Sequence, residues 1–330
     1  MNPITLSSNQ PANRFYLGGS QIASFRGEPA SGNHIPEDWV ASTTTVFGHR
    51  NLGLTTLPSG VRLIDAINQD PIAWLGRGHF ERYGVDTKLL VKLLDAGQRL
   101  PVHAHPTSFF ASSHLGRSHG KAEAWYILAD GEVHVGLKER ILLPQLLDLV
   151  QRQDVETLLG LIHTQRVHRG DTVYIPAGTL HAIGAGTFLL EVQEPEDLSI
   201  LLEWRDFELD GARDGHLGLG FETALMAVDL NSRSEADISA LISRNPSGPS
   251  LLPEISREFF ELSHYVVEEV VSLEAGFSVM VVIAGQIQLQ WNASSALYLE
   301  HGSTTVVPFG AGPLHLAGHG EVVVCRPPGS

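Results

Sequence analysis

Cysteine is almost absent from this 330-residue chain, which has one, Cys325. A single thiol excludes an internal disulfide and any paired-cysteine zinc ribbon, so histidine and carboxylate must supply any metal site. Basic residues are also scarce: 22 Lys and Arg stand against 37 Asp and Glu, a formal charge of −15. Coulomb repulsion then opposes nucleic acid and anionic membrane as partners, and no Lys/Arg-rich run offsets it. Long hydrophobic runs are missing too. The longest apolar stretch, around "SVMVVIAG" from Ser278, is far too short to span a bilayer. The start, "MNPITLSSNQPANRFYLGG", has neither the cationic nor the apolar region of an export signal, which makes the cytoplasm the expected location.

Turn-forming residues, by contrast, are plentiful. The 33 glycines and 18 prolines punctuate short β-branched runs such as "DTVYIPAG", "TFLLEVQ", "FSVMVVIAG", "QIQLQW", "TTVVPFG" and "EVVVCRPP". Strands separated by turns at that spacing predict a mainly β protein of the sandwich or barrel kind, not βαβ units. One segment departs from the pattern. From Lys138 to Gln165, "KERILLPQLLDLVQRQDVETLLGLIHTQ" spaces its leucines helically and offers Asp154 as an N-cap, predicting a helical insertion over about 138–165. "PIAWLGRGHFERYG" and "GFETALMAVDL" suggest further helical pieces.

Ser243 to Pro253, "SRNPSGPSLLP", has the composition of a connector. It divides the chain into a domain over 1–242 and a second all-β domain over 254–330. "GSTTVVPFGAGPLHLAG" in the second echoes "GDTVYIPAGTLHAIG" in the first, which predicts two related β-barrel halves.

Within "LPVHAHPTSFF", His103 and His105 are two residues apart, so on a strand both point to one face. Such a pair alone is commonly solvated or hydrogen-bonded. Two further stretches, in order, give it meaning. "GKAEAWYILADG" starts a strand with Glu123 and Trp125 on a common face, and the tight "PAG" turn at Pro176 to Gly178 delivers His181 onto the next strand. Three imidazoles and one carboxylate can then converge with coordination positions left open. That set suits Zn2+, Fe2+, Mn2+, Ni2+ or Co2+ and can act as a Lewis acid. His114, His119, His134, His163 and His168 lack this context and are expected in surface or loop positions. His315 occupies the equivalent place in the second half, but no paired histidines or Glu precede it, so no second metal site is expected.

These stretches resemble the two motifs of the cupins, and more narrowly the chain is similar to class I mannose-6-phosphate isomerases. The similarity runs through "RFYLGG", "PEDWVAS", "LIDAI", "LLVKLLDAGQRLPVHAHP", "GKAEAWYIL" and "VYIPAGTLHAIGAGTFLLEVQEPED". It implies a double cupin with a helical insert and a zinc-dependent aldose–ketose isomerase interconverting mannose 6-phosphate and fructose 6-phosphate. The family's ligands fall on His103, His105, Glu123 and His181, with His103 standing where the family has Gln. Its phosphate-holding serine falls on Pro101, and the lysine before its Glu ligand matches Lys121. The family's catalytic arginine falls on Leu201, making Arg205, four residues on, the nearest substitute if the segment stays extended.

Isomerisation through a cis-enediol needs cations for the developing enediolate and a base for the proton. Lys121 and Arg205 are the expected cations, with Lys92 beside them in substrate binding. Glu191 or Glu203 is the expected base, and Glu191 has an alternative role as hydrogen-bond partner of a ligand histidine. The resemblance implies a sugar or sugar-phosphate substrate and assigns no oligomeric state. Because Pro101 and Leu201 remove two family contacts, a non-phosphorylated sugar is an alternative. The three-histidine set also permits an Fe2+ dioxygenase or a noncatalytic sugar-binding regulator.

Overall fold

The computed structural model describes residues 1–246, 249–292 and 295–329. The expected connector therefore includes two positions, Ser247 and Gly248, outside the described residues, and Ala293, Ser294 and Ser330 of the second domain lie outside them as well. The chain is mainly β, and among the described residues its strands form three sheets.

The six-stranded sheet runs in the order Ile242–Ser243, Thr172–Ile175, Glu123–Ala129, Phe188–Gln193, Leu90–Asp95, Glu37–Val40. The five-stranded sheet runs Ile200–Leu201, His103–Ala104, His181–Ile183, Gly131–Leu137, Ile162–Val167. Together these form the cupin of the N-terminal half. The third sheet has seven strands, built on two long ones, Ser278–Asn292 and Leu314–Arg326. A bulge between Val282 and Ala284 bends the pair so that the sheet folds over its own core of Met280, Val282, Leu289 and Leu316.

Strand periodicity explains how the layers stack. Along Ser278–Asn292, Val279, Val281 and Ile283 join a core shared with the six-stranded sheet, whereas Met280 and Val282 face the other way. Val323 and Cys325 likewise face the shared core, which buries the lone thiol. The six-stranded sheet is thus covered on both faces, and its strands are accordingly apolar runs rather than clean alternations.

Helices cover the outer face of the five-stranded sheet. Leu143–Arg152 and Val155–Gly160 occupy the stretch of helically spaced leucines, and Asp154 accepts a hydrogen bond from Thr157 N. Leu146, Leu149, Val150 and Leu158 pack there against Val102, Ala104 and Ala182. "PIAWLGRGHFERYG" forms Pro71–Leu75 and Arg77–Tyr83, split at Gly76, and "GFETALMAVDL" forms the short helix Phe221–Ala224 and a 3-10 turn. Among the described residues no helix is long and apolar enough to cross a membrane.

The start of the chain lies outside the division drawn at residue 242. Ile4–Leu6 pairs with Thr304–Val307, adding a strand to the C-terminal sheet, a long-range pairing that carries no local signal. The halves also meet at helix Ser20–Arg26, where Arg26 donates to Leu6 O and Gly302 O. Gly302 sits at φ 84°, and a Cβ there would lie 2.1 Å from Phe25 O. Gly302→Ala is expected to cost about 2 kcal/mol or more, through left-handed strain plus a backbone clash. Denaturant unfolding would show this as a lower midpoint; an unchanged midpoint would mean this contact does not hold the halves together.

Candidate metal centre

Each site side chain is placed by local structure. His103 and His181 face each other in register across adjacent strands of the five-stranded sheet. The "PAG" turn is tied down where Gly178, at φ 86°, donates its N–H to His105 O at 2.7 Å. Glu123 projects from the opposing six-stranded sheet, and Trp125, on the same face, donates Nε1–H to Glu123 Oε1 at 3.1 Å.

His103, His105 and His181 come together as a buried cluster whose nitrogens lie within 4.8 Å of one another. Their Nδ1 atoms lie 2.8 Å from the carbonyls of Pro101, Leu198 and Thr179 respectively. A carbonyl can only accept, so each Nδ1 carries the proton and each Nε2 presents a lone pair inward. Glu123 meets two of them, with Oε2 3.0 Å from His105 Nε2 and Oε1 3.3 Å from His181 Nε2. Lys121 Nζ donates to His105 Nε2 at 2.7 Å and to Glu123 Oε2 at 2.5 Å.

Burial sets the protonation states. It holds His103 well below the usual histidine range, helped by His181 and His105, and together with Lys121 it brings His105 down to about 3. Burial works against an ionised Glu123, but Lys121 and His105 outweigh it and hold the carboxyl well below the usual range. Among the described residues, His181 Nε2 is buried with no hydrogen-bond partner. An orphaned lone pair there is costly, and a bound cation would satisfy it. The donor set therefore fits a divalent metal of the borderline class.

The cluster opens into a cleft of about 380 Å³. Its charged floor is the inner face of the six-stranded sheet, where Trp125 pairs with Glu191, Glu191 with Lys92, and Lys92 with Trp39. Lys92 Nζ lies 3.0 Å from Glu191. Burial, then the nearby Glu123, raise the Glu191 carboxyl above its ordinary value.

The structure corrects several expectations. Arg205 lies outside the cleft, exposed, with its guanidinium on Gln153 O at the end of a helix in the insertion. The segment does not stay extended: the strand ends at Leu201, and the chain turns at Arg205 and Asp206, where φ is 69°. Glu203 is not available as a base, because Arg99 forks onto both of its oxygens and Val102 N donates to it. Glu191 hydrogen-bonds no ligand histidine among the described residues; carbonyls take that role. Pro101 and Leu201 do line the cleft. His315 is exposed, against Ser272 Oγ, whereas His134 is buried on its strand beside Thr164.

Sequence reasoning missed Arg14, Tyr16, Glu37 and Asp197, all of which line the cleft. Glu37 accepts from Arg14 Nε, Tyr16 Oη and Trp39 Nε1. The shared face of Glu37 and Trp39 in "PEDWV" was the available signal.

No family model matches the chain. It is 30% identical over 208 residues to "Probable mannose-6-phosphate isomerase GmuF" of Bacillus subtilis, covering 60% of this chain but only 59% of that protein. To "Mannose-6-phosphate isomerase ManA" of the same organism it is 25% identical over 314 residues, 93% of this chain and 94% of that one. The solved mannose 6-phosphate isomerase of Bacillus subtilis superposes with a TM-score of 0.76 at 22% identity, covering 99% and 100% of the two chains. By sequence and fold, the chain is similar to the mannose-6-phosphate isomerases. Another solved mannose 6-phosphate isomerase, bound with zinc and yttrium, superposes with a TM-score of 0.75 at 14% identity, covering 99% of this chain and 100% of that one.

Metal analysis of the protein is expected to give one equivalent per chain. His181→Ala is expected to keep its circular dichroism and lose that metal. Two equivalents, or metal retained in the variant, would contradict this site.

Proposed function

We propose that the chain is a metal-dependent aldose–ketose isomerase interconverting mannose 6-phosphate and fructose 6-phosphate through a cis-enediol. The supporting observation is three inward Nε2 lone pairs and an ionised Glu123 meeting at the base of a cleft whose floor carries Lys121, Lys92 and Glu191. His103, His105, Glu123 and His181 are the assigned ligands, in the N-terminal cupin. The C-terminal half, 254–330, carries no comparable cluster among the described residues and is assigned a supporting role. Zinc is the assigned metal, by analogy with the zinc-bound neighbour and with the donor set. When bound, such an ion supplies a Lewis acid for the oxygens on C1 and C2.

The chain's own residues supply the rest. Glu191 removes the proton from C2 of the open-chain aldose and returns it to C1, while the hydroxyl proton passes from O2 to O1. Its raised proton affinity suits both halves of that transfer, and Lys92 orients it. Lys121 places its ammonium beside the reacting oxygens, where negative charge develops. Leu100, Ile183, Leu201 and Leu217 wall the cleft with apolar surface and keep water from the enediol.

A second reading, isomerisation of a non-phosphorylated aldose, is favoured by Pro101 and Leu201, which line the cleft where the resemblance implies a serine and an arginine and bring neither a hydroxyl nor a guanidinium. A coupled assay for fructose 6-phosphate tests the first. Glu191→Gln is expected to lower kcat by about 10² to 10⁴ with KM little changed; a kcat within threefold of the parent would remove Glu191 from the chemistry.

A further inference from the structure

Resting on the isomerase reading, we infer that Arg14 is the phosphate anchor of the cleft and sets its preference for a phosphorylated sugar. Pro101 and Leu201 bring no phosphate-holding group to the wall around His103, the Ser199 hydroxyl that lines the cleft lies 3.4 Å from His105 Nδ1, and Arg205 is elsewhere. Three cationic side chains line the cleft: Arg14, Lys92 and Lys121. The lysines are the more enclosed, at 4% and 5% side-chain exposure, and are committed to Glu191 and to Glu123 with His105. Arg14, at 13% exposed, is the most open of the three.

Its guanidinium is oriented and only partly used. Nε donates to Glu37 Oε1 at 3.2 Å and Nη2 lies 3.1 Å from the same oxygen. Glu37 is itself fixed by Tyr16 and Trp39. Nη1 is 3.6 Å from Asp197 Oδ2, beyond hydrogen-bond length, and that oxygen already accepts from Phe47 N. Of five N–H donors in a planar fork, those on the Nη1 side remain for an incoming ligand, the geometry that suits a phosphate.

The spacing also fits. From the strand of Glu123 to that of Glu37 there are three steps across the six-stranded sheet, roughly 14 Å at the usual strand separation. That span accommodates an extended six-carbon chain with a contact at each end.

The test uses the metal-loaded full chain and compares mannose 6-phosphate with mannose. Arg14→Gln is expected to lower the ratio of kcat/KM for mannose 6-phosphate over mannose at least tenfold, through KM rather than kcat, and to weaken inhibition by inorganic phosphate as much. Arg14→Lys, which keeps the charge and loses the fork, is expected to recover part of both. An unmoved ratio, or a parallel fall with both sugars, would overturn the assignment. A parent protein that isomerises neither sugar would reject the isomerase reading instead. Titration with inorganic phosphate would then judge the anchor: binding weakened in Arg14→Gln supports it, and equal binding overturns it.

Discussion

Three backbone carbonyls, those of Pro101, Thr179 and Leu198, fix the chemistry of this protein. Each takes the Nδ1 proton of one histidine, so all three Nε2 lone pairs turn inward together. Without those bonds the rings could adopt either tautomer and rotate, and the cluster would be three imidazoles in a cavity. With them it is a preorganised donor set, held by the backbone of two strand ends and one loop.

The layered fold supplies what that donor set needs. Helices close one side of the five-stranded sheet, and the C-terminal sheet closes the far side of the six-stranded one, leaving the cleft between the two N-terminal sheets. Charges in such a space are tolerated only when paired. The floor meets this condition in series: Lys121 against Glu123, Lys92 against Glu191, and Arg14 against Glu37. The same burial that makes these pairs costly also lowers the pKa values of His103 and His105 and raises that of Glu191, which separates the proposed metal-binding groups from the proposed proton-transfer group.

What could be read from the sequence was local. Two histidines two residues apart, a tight turn before a third, and a carboxylate starting a strand are short-range patterns, and the structure brings those side chains together. The leucine spacing of the insertion and its Asp154 cap are short-range as well. The charged floor was not legible, because it arises from register across four strands that are far apart in the chain. Nor was the pairing of Ile4–Leu6 with the C-terminal sheet. The placement of Arg205 failed for a related reason: it extended strand periodicity through a turn whose left-handed residue, Asp206, is not a glycine and gave no warning.

Three imidazoles and one carboxylate make up the proposed inner coordination sphere. X-ray absorption at the metal edge of the zinc-loaded protein tests it most directly. A shell of three imidazole nitrogens with one carboxylate oxygen, plus exchangeable solvent, is the predicted result. An all-oxygen shell, or one with fewer than two imidazoles, would contradict the account.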